Sequence, residues 1–178
     1  MKKEIEAFDY VGEITKAFKT GVLLTTKAGD KVNSMTIGWG TFGVVWEKPI
    51  FITFIRENRF TKSQIEKNPE FTVNIPQGAF NKKILDICGT KSGRDVDKIK
   101  ELGLTLETPK VISVPGIKEL PLTLECRVMY QQKHDEQALG EEFKRKFYPQ
   151  DVDSFFHGAN RDFHTAYYGE IVSAYIIE

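Results

Sequence analysis

The chain has 178 residues and balances 25 Lys plus Arg against 25 Asp plus Glu, for a formal net charge of zero. That length suits one domain, 1–178, with a sizeable core, and the charge balance lacks the basic excess expected of a nucleic-acid binder. No stretch approaches the roughly 20 apolar residues of a membrane span, and the charged start MKKEIEAFDY has no apolar run behind it, so the chain reads as cytoplasmic. Cys88 and Cys126 are far apart and have neither metal nor redox spacing, so both read as buried free thiols.

Residues 18–26 (FKTGVLLTT) have a strand-like apolar centre, and residues 27–31 (KAGDK) form a polar turn with Gly29 available for positive φ. Val32 begins the return strand, so residues 18–40 predict a hairpin. Asn33, Ser34, Met35 and Thr36 then sit beside a turn at a barrel rim, where a ligand reaches backbone without filling the core. Small residues and hydroxyls across 33–43 let a flat polar ring approach closely, and Met35 and Trp39 add soft and aromatic surface. A strand and loop packed as plain core fits the same residues.

Residues 49–55 (PIFITFI) predict a strand buried on both faces, containing Thr53 and ending at Arg56. Next comes Thr61-Lys-Ser-Gln64, the spacing at which a hydroxyl caps a helix and the amide side chain reaches back. Asn68-Pro69 predicts its stop, with Asn68 in the left-handed position, and Ile65 is expected to face a core. The first amides of such a helix attract an anion, and Arg56 and Arg59 just upstream are suited to add charge-assisted contacts. An ordinary capped helix flanked by two solvated arginines fits equally.

Residues 71–75 (FTVNI) read as a half-buried strand. Residues 81–87 and 95–102 have helical spacing, the second with Asp95 as a cap and Gly103 as its stop. Between them, 88–95 (CGTKSGRD) lacks the spacing of a P-loop and reads either as a ligand-lining segment or as a plain turn. Pro109, Pro115 and Pro121 punctuate an extended, irregular stretch. Residues 122–132 alternate, with Leu122, Leu124, Cys126, Val128 and Tyr130 on one face. His134 follows as a solvated turn residue. Residues 140–148 predict a helix with Glu141–Arg145 and Glu142–Lys146 surface pairs. Residues 163–177 form one long strand, or two joined at Gly169. His164 by itself reads as structural, and its spacing from His157 does not suit a metal site. Six or so short-connected strands with inserted short helices predict a mainly β fold, a closed or split β-barrel. A Rossmann site for a nicotinamide is not expected in such a fold.

The runs NSMTIGWGTF, PIFITFIRENRFTKSQIEKNPEFTVNI, CGTKSGRDVDKIKELGL and HTAYYGEIV, in that order, resemble the flavin reductase-like family of FMN-binding split-barrel proteins, which includes flavoredoxins. The resemblance spans nearly the whole chain. One departure is Val-Asn-Ser at 32–34, where many members have a Thr-Asn-Ala-type start. It implies an oxidoreductase that binds FMN, takes hydride from NADH or NADPH, and passes electrons to a free flavin, oxygen or an electron-transfer protein. In that case Arg56, Asn58, Arg59 and Thr61 hold the phosphate, and Asn33, Ser34, Met35 and Thr36 line the ring. Thr53 faces the same pocket, and Lys91, Ser92 and Arg94 border the flavin or a partner subunit. His164, as the catalytic candidate, lies near the flavin or nicotinamide. A homodimer is implied, with which Phe42, Trp46, Phe155 and Phe156 are compatible. Two other functions fit: an FMN electron carrier with no nicotinamide reductase activity, and a cofactor-free barrel serving as an interaction module.

Overall fold

A computed structural model describes residues 1–153 and 160–178. Its strands are β1 Lys2–Glu4, β2 Val22–Ala28, β3 Lys31–Ile37, β4 Gly40–Val45 and β5 Lys48–Arg56, then β6 Glu70–Ile75, β7 Leu106–Glu107, β8 Gly116–Ile117, β9 Leu122–Lys133 and β10 His164–Ile177. The large sheet is antiparallel in the order β3-β2-β6-β9-β10-β5-β4, with β1 on the end of β10 and β7-β8 a separate ribbon. The mainly β split-barrel fold is therefore as expected, with more strands than the sequence suggested.

The final segment is one strand, not two. β10 pairs with β9 through most of its length, with β5 through its first half and with β1 at its end. Register shifts at Tyr168/Gly169 and Ile171/Ser173 bend it, as bulges do in strands that curve round a barrel. The expected hairpin closes through Gly29, at φ 59°, between Ala28 and Lys31. The sequence did not mark the second hairpin, because Trp46 and Glu47 take positive φ (54° and 59°) without an Asn-Gly signal. Each costs about 1–2 kcal/mol in that conformation, and the Trp46 ring is placed against Tyr130 and Tyr168. The extended stretch 33–43 is thus split into β3 and β4 by Gly38 and Trp39.

The main core is built from the inner faces of these strands, including Leu24, Phe51, Ile55, Phe71, Val73 and Leu124, and is closed by Ile14 of α1 (Val11–Ala17). A smaller cluster packs α3 (Lys83–Thr90) through Ile84, Leu85 and Cys88 against Leu23 and Ile117. β6 was expected to be half-buried, but Thr72 and Asn74 are fully buried too. The proline-punctuated stretch covers them: Thr72 Oγ1 donates to Pro115 O (2.8 Å), while Asn74 Nδ2 donates to Thr123 Oγ1 on β9 (3.0 Å). Glu125 pins that stretch by accepting the amides of Lys110, Val111 and Ile112 at 2.6, 2.8 and 3.2 Å. On β9, Leu122, Leu124 and Cys126 reach the core, whereas Tyr130, beyond a bulge, is exposed.

Two helix boundaries move. α3 starts at Lys83, whose amide donates to Asn81 Oδ1 (3.1 Å), and runs on to Thr90, absorbing half of the predicted turn. α4 (Lys98–Leu102) is capped by Asp97, which accepts from Lys100 N (3.1 Å), and not by Asp95; Gly103 ends it at φ 61°. α5 (Glu141–Phe147) is present, with a Lys144–Glu141 pair (2.8 Å) rather than the two predicted pairs. Both cysteines are buried free thiols.

Candidate functional site

The predicted capping box does not form. α2 (Phe60–Ile65) has Arg59 at its N-cap with no side-chain cap. Thr61 Oγ1 accepts from Asn33 Nδ2 (3.0 Å), while Gln64 accepts from Thr26 Oγ1 (2.7 Å) and donates to Lys31 O (2.9 Å). Hydroxyl and amide tie the helix to the β2–β3 hairpin instead. Nor does Asn68 take a left-handed turn; its amide donates to Lys27 O and Ser113 Oγ, both at 2.9 Å. With only six residues, α2 offers a weak dipole, so an anion at this place must be held by side chains.

Those side chains border a cleft of about 810 Å³ between β3, the end of β5, α2, the turn after α3, α4 and the start of β10. This is within the range of small-molecule and cofactor sites. The structure brings Asn33, Met35, Thr36, Asn58, Arg59, Thr61, Lys91, Ser92 and His164 together on its walls. Thr36 is also fastened to α3, donating to Leu85 O (2.6 Å). Two predicted residues are elsewhere. Ser34 points to the opposite face of β3 from Asn33 and Met35 and lies 2.7 Å from Thr25 Oγ1, fully buried. Thr53 alternates with the cleft-lining Phe54 and Arg56, so it shares the core side with Phe51 and Ile55, and its hydroxyl has no partner among the described residues.

Arg56 borders the cleft, but its guanidinium is committed to the protein. It donates to the carbonyls of Asn160 (2.7 Å), Asp162 (2.6 Å) and Phe147 (3.0 Å) and lies 5.0 Å from the Tyr148 ring centroid. It is a clamp on the excursion between β9 and β10, not a free anion ligand. Among the described residues Arg59 donates to two side-chain amides, Asn160 Oδ1 (3.2 Å) and Asn58 Oδ1 (3.4 Å), with the Asp162 charge nearby. Lys91 is paired with Glu101, Arg94 donates to Asn58 O (2.7 Å), and Ser92 Oγ accepts the Arg94 amide (3.2 Å). The turn is pressed onto the cleft floor: a Cβ at Gly93 would collide with Asn33 and with the Phe60 ring.

Lys98 escaped the sequence reading, which placed it in the short helix 95–102 and gave it no role. It is 3% exposed and lines the cleft, and its Nζ makes one long hydrogen bond, 3.4 Å to Cys88 O. Burial, opposed by Cys88 and reinforced by Arg59, lowers its pKa. Burial in turn pushes the Cys88 thiol up to about 11, against the pull of Lys98, so that sulfur is no nucleophile at neutral pH. A buried cation with no carboxylate partner is costly. An anion in the cleft removes that cost, and this is how the residues fit a phosphorylated ligand.

The other end of the cleft is aromatic. His164, 6% exposed, lies with its ring 4.8 Å from that of Trp39 and its Nδ1 2.8 Å from the Tyr148 hydroxyl. Burial, then the nearby Arg56 charge, hold its pKa at about 3. His134 is not a solvated turn residue: its amide donates to His164 O (2.9 Å), its ring is 5.6 Å from Phe54, and its Nδ1 is 3.5 Å from the same Tyr148 hydroxyl. Gly38, Trp39, Gly40, Phe54 and His134 line an adjoining recess of about 390 Å³. Nothing in the sequence joins Tyr148 and His134 to His164; the end of α5 and the β9–β10 junction bring them together. Phe42 packs edge-on against Phe8, and Trp46 is 56% exposed. Phe155, Phe156 and His157 lie outside the described residues. Among the described residues no His, Cys, Asp and Glu cluster suits a metal ion, and no helix is long and apolar enough to cross a membrane.

The mainly β antiparallel barrel is the fold of FMN-binding split-barrel proteins. The chain belongs to the flavin reductase like domain family, which it matches over residues 15–178. It is similar to the flavoredoxin of Methanosarcina acetivorans, at 25% identity and a TM-score of 0.64, over 89% of this chain and 68% of that one. An FMN-binding domain of a flavin reductases-like enzyme from Shewanella baltica shares the fold at 15% identity, with a TM-score of 0.61 over 99% and 77% of the two chains. A protein of Archaeoglobus fulgidus is 35% identical over 100 residues, 56% of this chain, and the match spans 55% of that relative's length.

Proposed function

We propose that residues 1–178 form one flavin-binding domain that holds FMN in this cleft and works as an NAD(P)H-dependent flavin reductase. Electrons would pass from a nicotinamide to a flavin or a downstream acceptor. The observation that carries this reading is Lys98, a buried cation facing a cleft whose far end is aromatic. FMN, when bound, supplies the hydride-accepting centre. Arg59 and Lys98 hold the phosphate by charge, and Lys91 and Ser92 border it. Asn33 and Thr61 form the polar floor, and Met35, Thr36 and Trp39 pack against the ring. Arg56 keeps the wall in place through the carbonyls of 147, 160 and 162. Gly38-Trp-Gly-Thr-Phe-Gly43 has the Gly-x-Gly-x-x-Gly spacing but runs into strand β4 and not into a helix, which supports a nicotinamide that stacks transiently on the flavin. Val44, Trp46, Met129 and Tyr130, exposed around the β4–β5 hairpin and β9, support a homodimer in which a second copy covers them.

Similarity to a protein named flavoredoxin supports a second reading, an FMN carrier without nicotinamide activity. Titration of the purified protein with FMN, followed by anaerobic stopped-flow mixing with NADH and NADPH, separates the two. Saturable binding followed by bleaching near 450 nm is expected. Binding without bleaching by either nucleotide makes the protein a carrier, and no binding refutes the flavin reading of the cleft.

A further inference from the structure

The hydroxyl of Tyr148 stands between two imidazoles. It is 2.8 Å from His164 Nδ1 and 3.5 Å from His134 Nδ1. A phenol has one proton, so it can donate to only one of the two rings. Distance selects His164: 2.8 Å is a full O–H···N bond, whereas 3.5 Å is at the outer limit. The surroundings favour the same choice. Tyr148 is 4% exposed, its ring stacks on Phe163 at 4.7 Å and 14°, and the Arg56 guanidinium lies 5.0 Å from it, which holds the phenol in place beside His164. The two histidines cannot drift apart, because the His134 amide donates to the His164 carbonyl where β9 meets β10.

We propose that Tyr148 is a positioning residue that fixes His164 as the neutral Nε2–H tautomer, presenting a hydrogen-bond donor to the cleft. With Nδ1 accepting from Tyr148, the ring proton must sit on Nε2. That nitrogen has no partner among the described residues, and His164 lines the cleft. The same phenol oxygen then accepts from His134 Nδ1–H, so the two adjacent rings carry opposite tautomers. The arrangement offers an acceptor atom on a bound planar ring a hydrogen bond without adding charge at the aromatic end, while the cations gather at the other. The use of that donor rests on the flavin reading of the cleft; the tautomer does not.

The test is carried out on the full chain without flavin. Two-bond 1H–15N correlation spectra at pH 7.5 are recorded on protein labelled with 15N-histidine, with resonances assigned by His134→Phe and His164→Gln. The wild type is expected to show His164 as the Nε2–H form and His134 as the Nδ1–H form. Tyr148→Phe keeps the stacking on Phe163 and is expected to bring the two His164 nitrogen shifts together, as in a tautomer mixture. His134→Phe is expected to leave His164 unchanged. A wild-type His164 in the Nδ1–H form, or a His164 pattern that survives Tyr148→Phe in protein with unaltered near-ultraviolet circular dichroism, overturns the proposal. Should Tyr148→Phe fail to fold, the wild-type and His134→Phe spectra still decide it, since loss of the Nε2–H form in His134→Phe also overturns it. Failure of FMN to bind would count against the flavin reading alone and leave these resonances in place.

Discussion

Lys98→Met should move stability and ligand affinity in opposite directions. The substitution keeps an unbranched stem of similar reach and removes the charge. In the apo protein the ammonium is 3% exposed and has one 3.4 Å hydrogen bond to Cys88 O, with no carboxylate among the described residues to offset its desolvation. Replacing such a charge with an apolar group is expected to stabilise the apo protein by about 1–3 kcal/mol. If the same ammonium meets the FMN phosphate, its loss costs about 1.5–3 kcal/mol of binding, which is roughly a 10- to 150-fold rise in Kd. Urea unfolding followed by tryptophan fluorescence reads the first effect, and quenching of FMN fluorescence reads the second. A structural lysine would give the reverse pattern: a less stable apo protein with unchanged FMN affinity. That outcome would refute the argument that an anion is what the cleft lacks.

Arg56→Ala strips three carbonyls of their donor and should cost about 2–4 kcal/mol. Hydrogen exchange in α5 should accelerate while the β2–β3 hairpin stays protected, and uniform exchange across both would contradict the clamp. Glu125→Gln weakens the acceptor for the amides of Lys110, Val111 and Ile112, costing about 1–3 kcal/mol, or roughly 3–10 °C in Tm by calorimetry. An unaltered Tm would mean that the proline-rich stretch is held by other contacts. The pH dependence follows from His164, whose folded pKa is held at about 3 by burial and then Arg56. The unfolded chain takes up that proton near pH 6.5 and the folded chain does not, so this contribution is complete above 6.5 and declines as pH falls towards 3. At pH 5 it is smaller by about 2 kcal/mol than at pH 7.5. His164→Gln should flatten that part of the urea-midpoint profile, and an unchanged slope would place the effect elsewhere.

The strands were legible where their chemistry is local. The β2–β3 turn announces itself in Ala-Gly-Asp, and β5 in a run of apolar residues, because φ > 0 at Gly29 and two-sided burial leave direct marks. The β4–β5 turn was hidden because Trp46 and Glu47 adopt a backbone that glycine or asparagine usually marks. Burial of Thr72, Asn74 and Glu125 was hidden for a different reason. A polar residue on an alternating strand reads as solvent-facing until a segment distant in sequence covers it, and here Pro115 and the amides from Lys110 onward do so. The Thr61–Gln64 spacing was real as a pattern, but a neighbouring hairpin outcompeted the helix for both side chains.

The two arginines before α2 show why a cleft resists reading from sequence. Arg56 and Arg59 are three residues apart, equally charged, and indistinguishable by motif. Strand alternation sends the Arg56 side chain to the face shared with Phe54, where carbonyls of the β9–β10 excursion converge on its guanidinium. Arg59, one turn later at the N-cap of α2, donates among the described residues to side-chain amides. Two long amide contacts leave guanidinium donors open to a ligand, whereas three carbonyls occupy those of Arg56. The difference therefore depends on which backbone passes nearby, a tertiary fact. It assigns wall-building to Arg56 and leaves Arg59, with Lys98, as the pair whose charge a ligand can answer.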